Sequence, residues 1–265
     1  MIKDITIGQY IPGESFIHKL DPRTKILITF LFIISLFIVD KFVGYIFVVA
    51  FLALVVYVAK ISPRYLYKGL KPVFLLIALT AILNIFMLRE GRLLFQLGFI
   101  KIYESGIKTA LFMAIRLILL IMGTSVLTLT TSPIELTDGI ERLLRPIGKE
   151  IAHELAMMMT IALRFIPTLI DETDKIMKAQ KARGADFESG GLVKKAKNLI
   201  PLLVPLFISS FRRADELAMA MEARCYRGGA GRTRMKVLKF TSKDFVAFGV
   251  FALLFASTLI VRFAI

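Results

Sequence analysis

Long apolar runs alternate with short polar breaks over the first 131 residues, and one more apolar run closes the chain. Each run approaches the ~20 residues that a helix needs to cross a bilayer. The loop before the fourth run allows a short hairpin at Phe95 to Tyr103. The pattern predicts an all-α, polytopic membrane helical bundle with five spans: Pro22 to Val39, Phe42 to Ala59, Pro72 to Leu88, Thr109 to Thr131 and Asp244 to Ile265.

Residues 132–243 interrupt this pattern with amphipathic and charged sequence. We predict three parts: an N-terminal bundle of four spans at 1–131, a cytoplasmic or interfacial helical segment at 132–243, and the final span at 244–265. Within the middle segment, 151–170 is apolar but carries His153, Glu154, Arg164 and Pro167. We expect it to lie in or near the cytoplasmic interface, with a membrane span as the alternative. A break at Gly190-Gly191 separates two long helical arms, the first from Ile166 to Arg183 and the second from Pro205 to Tyr226.

Composition and charge agree with a membrane protein. The chain is 57% hydrophobic, has a mean hydropathy of +0.72 and carries a net charge of +15. With the N-terminus inside, 28 of the 35 lysines and arginines lie on the predicted cytoplasmic side and six lie outside. The positive-inside rule therefore explains the charge, and nucleic-acid binding is not needed to explain it. The single cysteine, Cys225, excludes an internal disulfide or a multi-cysteine metal site.

A short motif occurs at the end of both arms. We call Ala182, Arg183 and Gly184 the first tip, and Ala223, Arg224 and Cys225 the second tip. An arginine at a helix C-terminus can simply offset the macrodipole, for about 0.3–1 kcal/mol. The repetition, 41 residues apart, favours a second interpretation, in which two rigid guanidinium groups grip carboxylates or carbonyls of two similar partner subunits.

The second arm carries a row of small residues at four-residue intervals. These are Ser210, Ala214 and Ala218. Such rows let another helix come close. The sequence therefore predicts that the two arms cross at this row.

The sequence offers little support for an enzymatic function. The only Gly-Lys pair is followed by Glu150, so no ATP-binding P-loop is present. A membrane prenyltransferase holding magnesium on acidic clusters is the alternative function, but Asp171, Glu172 and Asp174 form one such cluster without a clear second. His18 and His153 are predicted to be structural. Arg116 lies within the fourth span, and the sequence allows two roles for it: pairing with a carbonyl or Asn84 inside the bundle, or contact with a partner.

Nearly the whole chain resembles the transmembrane T component of energy-coupling-factor (ECF) transporters, a branch of the ABC importers. The resemblance rests on Pro12-Gly13-x-Ser15-x-x-His18-x-Leu20-Asp21-Pro22-Arg23-x-Lys25, Ser132-Pro133-x-Glu135-Leu136 with Leu143-Leu144-x-Pro146, Arg164-Phe165-Ile166-Pro167, Ala179-Gln180-x-Ala182-Arg183-Gly184 and Glu222-Ala223-Arg224-x-Tyr226. Together these motifs are specific.

The resemblance implies a non-catalytic subunit of the prokaryotic cell membrane. Its two tips would dock in grooves of two ABC ATPase subunits (A components), which would themselves bind ATP and magnesium, while this chain holds no cofactor. A separate membrane subunit (S component) would capture a vitamin or metal ion. Cys225 stands where the family often has Gly, so the sequence suggests that Gly228-Gly229 sets the turn after Arg224 instead.

Overall fold

The computed structural model describes residues 10–88, 90–97, 100–187, 189, 191–229 and 237–264. The described chain is mainly helical, as expected. Residues 1–9 and Gly190 of the glycine break lie outside the described residues. The elements are α1 Pro22–Ile38, α2 Phe42–Ala59, α3 Pro63–Leu70, a 3₁₀ turn Lys71–Val73, α4 Phe74–Met87, β1 Leu93–Leu97, β2 Ile100–Tyr103, α5 Glu104–Thr130, α6 Pro133–Leu144, α7 Lys149–Ala182, α8 Leu192–Asn198, α9 Ile200–Ala223 and α10 Ser242–Ala264.

Membrane-spanning capacity is distributed slightly differently from the prediction. By length and composition, five stretches of the described chain can cross a membrane: Phe42–Ala59, Pro63–Met87, Glu104–Thr130, Lys149–Ala182 and Ser242–Phe263. α1, with 17 residues, is about 26 Å long at ~1.5 Å per residue, a little shorter than a ~30 Å hydrocarbon core. Residues 151–170 lie within Lys149–Ala182, which is long and apolar enough to cross a membrane, so their interfacial position stays a prediction. β1 and β2 pair as the antiparallel hairpin expected before the fourth span.

The described residues form two compact units. The bundle unit contains residues up to 139 and from 237 onward, and the tip-bearing unit contains residues 140–229. In the bundle unit, α1, α2, α5 and α10 share an apolar core that includes Phe32, Leu36, Val48, Leu52, Leu119, Val126, Leu129, Phe251 and Leu254. A Cβ atom at Gly123 would overlap the Phe32 ring, so this glycine lets α1 and α5 approach closely.

The motif from Pro12 to Lys25 forms a polar clasp at the start of α1, which we call the lead clasp. Asp21 accepts a hydrogen bond from the Arg23 amide at 2.9 Å, which confirms the predicted helix start. Lys25 Nζ donates to the carbonyls of His18 at 3.1 Å and Thr130 at 2.9 Å. Asp244 Oδ1 accepts from the Asp21 amide at 2.9 Å. The clasp thus joins the start of α1 to the end of α5 and the start of α10.

Arg116 faces the inside of the bundle. It donates to Tyr45 Oη and to the Val39 carbonyl, both at 3.1 Å, and it lies over the Phe37 ring. The carbonyl pairing considered for this residue is therefore present, whereas Asn84 instead donates to the Thr80 carbonyl. Arg116 stabilises the C-terminal end of α1, where the last helical carbonyls have no partner within the helix.

Candidate partner-docking site

The first tip is a compact turn that ends α7. Arg183 is the C-cap, and Gly184 follows with a positive φ of 86°. The Gly184 amide donates to the Lys181 carbonyl and the Ala185 amide to the Gln180 carbonyl, both at 3.0 Å. This pair of bonds is the Schellman motif, which turns the chain sharply away from the helix axis and leaves the C-cap side chain at the extreme end.

The second tip repeats this geometry at the end of α9. Arg224 is the C-cap, and Cys225 has a positive φ of 54°. The Cys225 amide donates to the Glu222 carbonyl at 2.8 Å, and the Tyr226 amide donates to the Met221 carbonyl at 3.0 Å. The expectation that Gly228-Gly229 sets this turn is wrong, because Cys225 itself adopts the left-handed conformation. Gly228, with a φ of 76°, makes a further bend three residues later.

All six tip residues are exposed: Ala182, Arg183, Gly184, Ala223, Arg224 and Cys225. In the part of the chain that the structure describes, neither Arg183 nor Arg224 donates a side-chain hydrogen bond or forms an ion pair. Each guanidinium therefore stands at a helix end with its five donors available. The small neighbouring side chains leave it accessible from several directions. Such a group suits insertion into a groove of another protein.

The two arms pack on each other within the tip-bearing unit. An ion pair joins them, with Arg213 Nη2 3.7 Å from Glu172 Oε2 and both side chains about one-third exposed. Exposure limits its stabilisation to about 1 kcal/mol or less. Arg183 lies eleven residues after Glu172, and Arg224 lies eleven residues after Arg213. The ion pair therefore joins the two arms at the same distance along the chain from each tip.

The predicted small-residue row lies beside the covered face of α9. Ala214 and Ala218 are exposed and Ser210 is half-buried, whereas the side chains with reduced exposure follow the row Leu202, Leu206, Ser209, Arg213, Leu217 and Met221. The ion pair between the arms, Arg213 with Glu172, lies one position away from Ala214. A crossing at Ser210, Ala214 and Ala218 stays a prediction that no contact of the described residues tests.

The acidic cluster considered for the enzymatic alternative does not form a metal site. Glu172 is paired with Arg213. Among the described residues, no group of three or more His, Cys, Asp or Glu side chains is arranged to hold a metal ion. The alternative of a magnesium-dependent prenyltransferase thus gains no support from the geometry.

Sequence reasoning missed a cluster that touches the second tip. His153, in the first turns of α7, contacts Glu141 of α6 and the hydroxyl of Tyr226. Tyr226 is 73 residues from His153. No local spacing or periodicity could have connected residues this far apart, although Tyr226 belongs to the motif around Arg224.

Comparisons with known proteins agree on one family. A family model described as "Cobalt transport protein" (CbiQ) matches residues 13–237. The "Energy-coupling factor transporter transmembrane protein EcfT" of Clostridium kluyveri is 68% identical over 93% of both chains. The proteins of that name from Thermosediminibacter oceani and Bacillus subtilis are 59% identical over 99% of both chains and 50% identical over 92% of this chain and 93% of the relative.

A match of this extent, with high identity over nearly the full length of the relatives, identifies the chain at the level of its family. The relatives are named as transmembrane components of a transporter. Long apolar helices in the described chain fit a multi-pass membrane protein. The chain belongs to the family of energy-coupling factor transporter transmembrane proteins, which are non-catalytic subunits of multi-subunit transporters.

Proposed function

We propose that this subunit transmits ATP-driven motion from two ABC ATPase subunits to a substrate-binding membrane subunit that takes up a vitamin or a metal ion. The ATPases dock on the first and second tips. ATP and magnesium are bound by those partners, because the chain has no P-loop and its only Gly-Lys pair is the start of α7. The tip-bearing unit faces the cytoplasm, where the positive-inside rule favours its 15 lysines and arginines between residues 140 and 229.

One observation carries the proposal: both arms end in the same Schellman turn with an exposed arginine as the C-cap. An offset of the macrodipole needs only a positive charge near each helix end, and lysines do this equally well. A repeated turn that fixes the direction of the arginine is expected where two similar grooves must be filled. Two similar ATPase subunits provide two such grooves.

The native cysteine offers a direct test. Cys225 is the only cysteine of the chain, is exposed, and directly follows Arg224. We expect maleimide to label it readily in the purified chain and much more slowly in the complex with both ATPase subunits. The control is a Cys225→Ser chain with Lys194→Cys, an exposed position in α8, whose labelling should not change. Unchanged labelling of Cys225 in a complex that co-purifies intact would refute docking at the second tip.

A further inference from the structure

We propose that His153 is a positioning residue that holds the second tip in its docking orientation through the hydroxyl of Tyr226. The inference rests on the proposed function, because it concerns how one of the two docking tips is held. His153 lies outside both tip motifs. In this proposal the start of α7 positions the second tip, whereas the end of α7 carries the first tip.

The imidazole lies between a carboxylate and a phenol. Its Nδ1 is 3.5 Å from Glu141 Oε1, with the two side chains 13% and 4% exposed, and its Nε2 is 3.2 Å from Tyr226 Oη. A carboxylate only accepts, so the nearby Glu141 favours the tautomer with the proton on Nδ1. In the neutral ring, Nε2 then accepts from the Tyr226 hydroxyl. The ring thus has a hydrogen bond with the Tyr226 hydroxyl on one side and the Glu141 carboxylate within 3.5 Å on the other.

Tyr226 is tied to the second tip by its backbone. Its amide closes the Schellman turn on the Met221 carbonyl, and it lies two residues after Arg224. A side chain anchored at one end and an amide anchored at the other leave the turn little freedom to rotate. Fixing Tyr226 therefore fixes the direction in which Arg224 points.

The segment after the turn also packs on the imidazole. A Cβ atom at Gly229 would come within 2.8 Å of His153 Cδ2, so only glycine lets the backbone pass this close to the ring. The ring is thus held by Glu141 from α6 and by the chain that leaves the second tip. Both contacts belong to the tip-bearing unit.

Both tips are therefore connected to α7. The helix has 34 residues, or about 51 Å at ~1.5 Å per residue; it carries the first tip at its C-terminus and holds the second tip near its N-terminus. The ion pair between Glu172 and Arg213 joins the arms between these points. Displacement of one tip is then transmitted to the other through a single helix.

Spin labelling of the native Cys225 tests the positioning role in the full-length chain. We expect Tyr226→Phe, which removes only the hydroxyl, and His153→Phe to increase nitroxide mobility at Cys225. Neither should change mobility at the first tip, measured with Ala182→Cys in a Cys225→Ser chain. His153→Gln should restore the native mobility, because its amide can accept from Tyr226 and donate to Glu141. The affinity for the ATPase subunits should fall about two- to tenfold in Tyr226→Phe, the range expected for one hydrogen bond.

The outcomes separate this inference from the proposed function. Unchanged nitroxide mobility at Cys225 overturns the positioning role. An equal increase of mobility at both tips also overturns it, because that result indicates a general loosening of the unit. Greater mobility at Cys225 with unchanged ATPase affinity overturns it as well, provided that Arg224→Ala weakens binding in the same assay. If Arg224→Ala also leaves the affinity unchanged, the docking function itself has failed.

Discussion

Two residues that differ between the tips perform the same backbone task. Gly184 and Cys225 both have the positive φ that a Schellman turn requires. Glycine adopts this conformation freely, whereas a residue with a Cβ atom is disfavoured there by about 1–2 kcal/mol. The second turn is therefore strained relative to the first. It is held in part by contacts outside the turn, such as those of Tyr226.

Cys225→Gly should relax this strain. We expect slower amide hydrogen exchange at Tyr226, whose amide closes the turn, corresponding to about 0.5–1 kcal/mol of local stabilisation after the greater flexibility of glycine is subtracted. Gly184→Ala is the matched change at the first tip, where no atom would meet the new Cβ within 4 Å. Only the backbone cost operates there, so exchange at Ala185 should accelerate. Opposite signs at either position would contradict the strain argument.

His18 makes the lead clasp sensitive to acid. Burial lowers the pKa of its imidazole below the ordinary value of 6.5, and Lys25 lowers it further, against opposing effects of the Ile11 carbonyl and Glu135. The unfolded chain then binds a proton more readily than the folded chain. His18 therefore contributes fully to stability above a pH of about 6.5, and this contribution is lost as the pH falls below that value.

Thermal unfolding of the purified chain between about pH 7.5 and 5.5 should show this loss. The neutral ring accepts from Ser15 Oγ at 2.6 Å and donates to the Ile11 carbonyl at 3.1 Å. A His18→Gln variant can keep one donor and one acceptor but does not titrate, so its melting temperature should depend less on pH over this range. Identical pH profiles for the two chains would assign the acid sensitivity to other groups.

At the scale of the element, the sequence predicted the helices well and their faces less well. The helix ends at Arg183 and Arg224, the helix start at Pro22 and the hairpin between the third and fourth runs could all be predicted, because each depends on neighbouring residues. The turn after Arg224 was predicted wrongly, because Cys225 and not a glycine adopts the left-handed conformation. The covered row of α9 could not. Rows one position apart, through Ala214 and through Arg213, both recur at helical spacing, and only the packed structure distinguishes them.

Pro205, inside the second arm, was misleading for a related reason. The sequence suggested a second arm that begins after Pro205, but α9 begins at Ile200 and continues through it, and α7 continues through Pro167. A proline removes one helical hydrogen bond and disfavours the helix interior by about 3 kcal/mol. The amide bonds and packing of a helix of 24 or 34 residues can offset such a local loss.

Ala214→Leu separates the isolated subunit from the assembled transporter. Since Ala214 is exposed in this chain, we expect the substitution to change its stability by no more than about 0.5 kcal/mol. If the row of Ser210, Ala214 and Ala218 meets another helix during transport, the larger side chain will obstruct it and lower substrate uptake per ATP hydrolysed. Lys194→Leu, at an exposed position of α8, is the control in reconstituted vesicles. Equal ratios for the two variants would remove any role of this row in coupling.

At the scale of the whole molecule, the two units differ in where their apolar and polar side chains lie. The bundle unit buries an apolar core and ties its helix ends together with the lead clasp. The tip-bearing unit leaves Arg183 and Arg224 exposed, and its described polar contacts include Glu172 with Arg213 between the arms and His153 with Tyr226 after the second tip. The exposed arginines of the one unit agree with the proposed docking of partner subunits, and the apolar helices of the other agree with a multi-pass membrane protein.

Replacing both tip arginines tests the mechanism in the complete transporter. If each guanidinium is buried against a hydrogen-bonded acidic group of an ATPase, Arg183→Ala and Arg224→Ala will each weaken docking by about 2–5 kcal/mol, and the double variant will lose transport. Arg227→Ala, an exposed arginine three residues beyond the second tip, should have little effect. Arg183→Lys with Arg224→Lys is the decisive comparison, because lysine retains the charge at the helix end but not the planar fork of donors. We expect this double lysine variant to fail in co-purification and uptake; normal behaviour would show that the arginines only offset the helix dipoles.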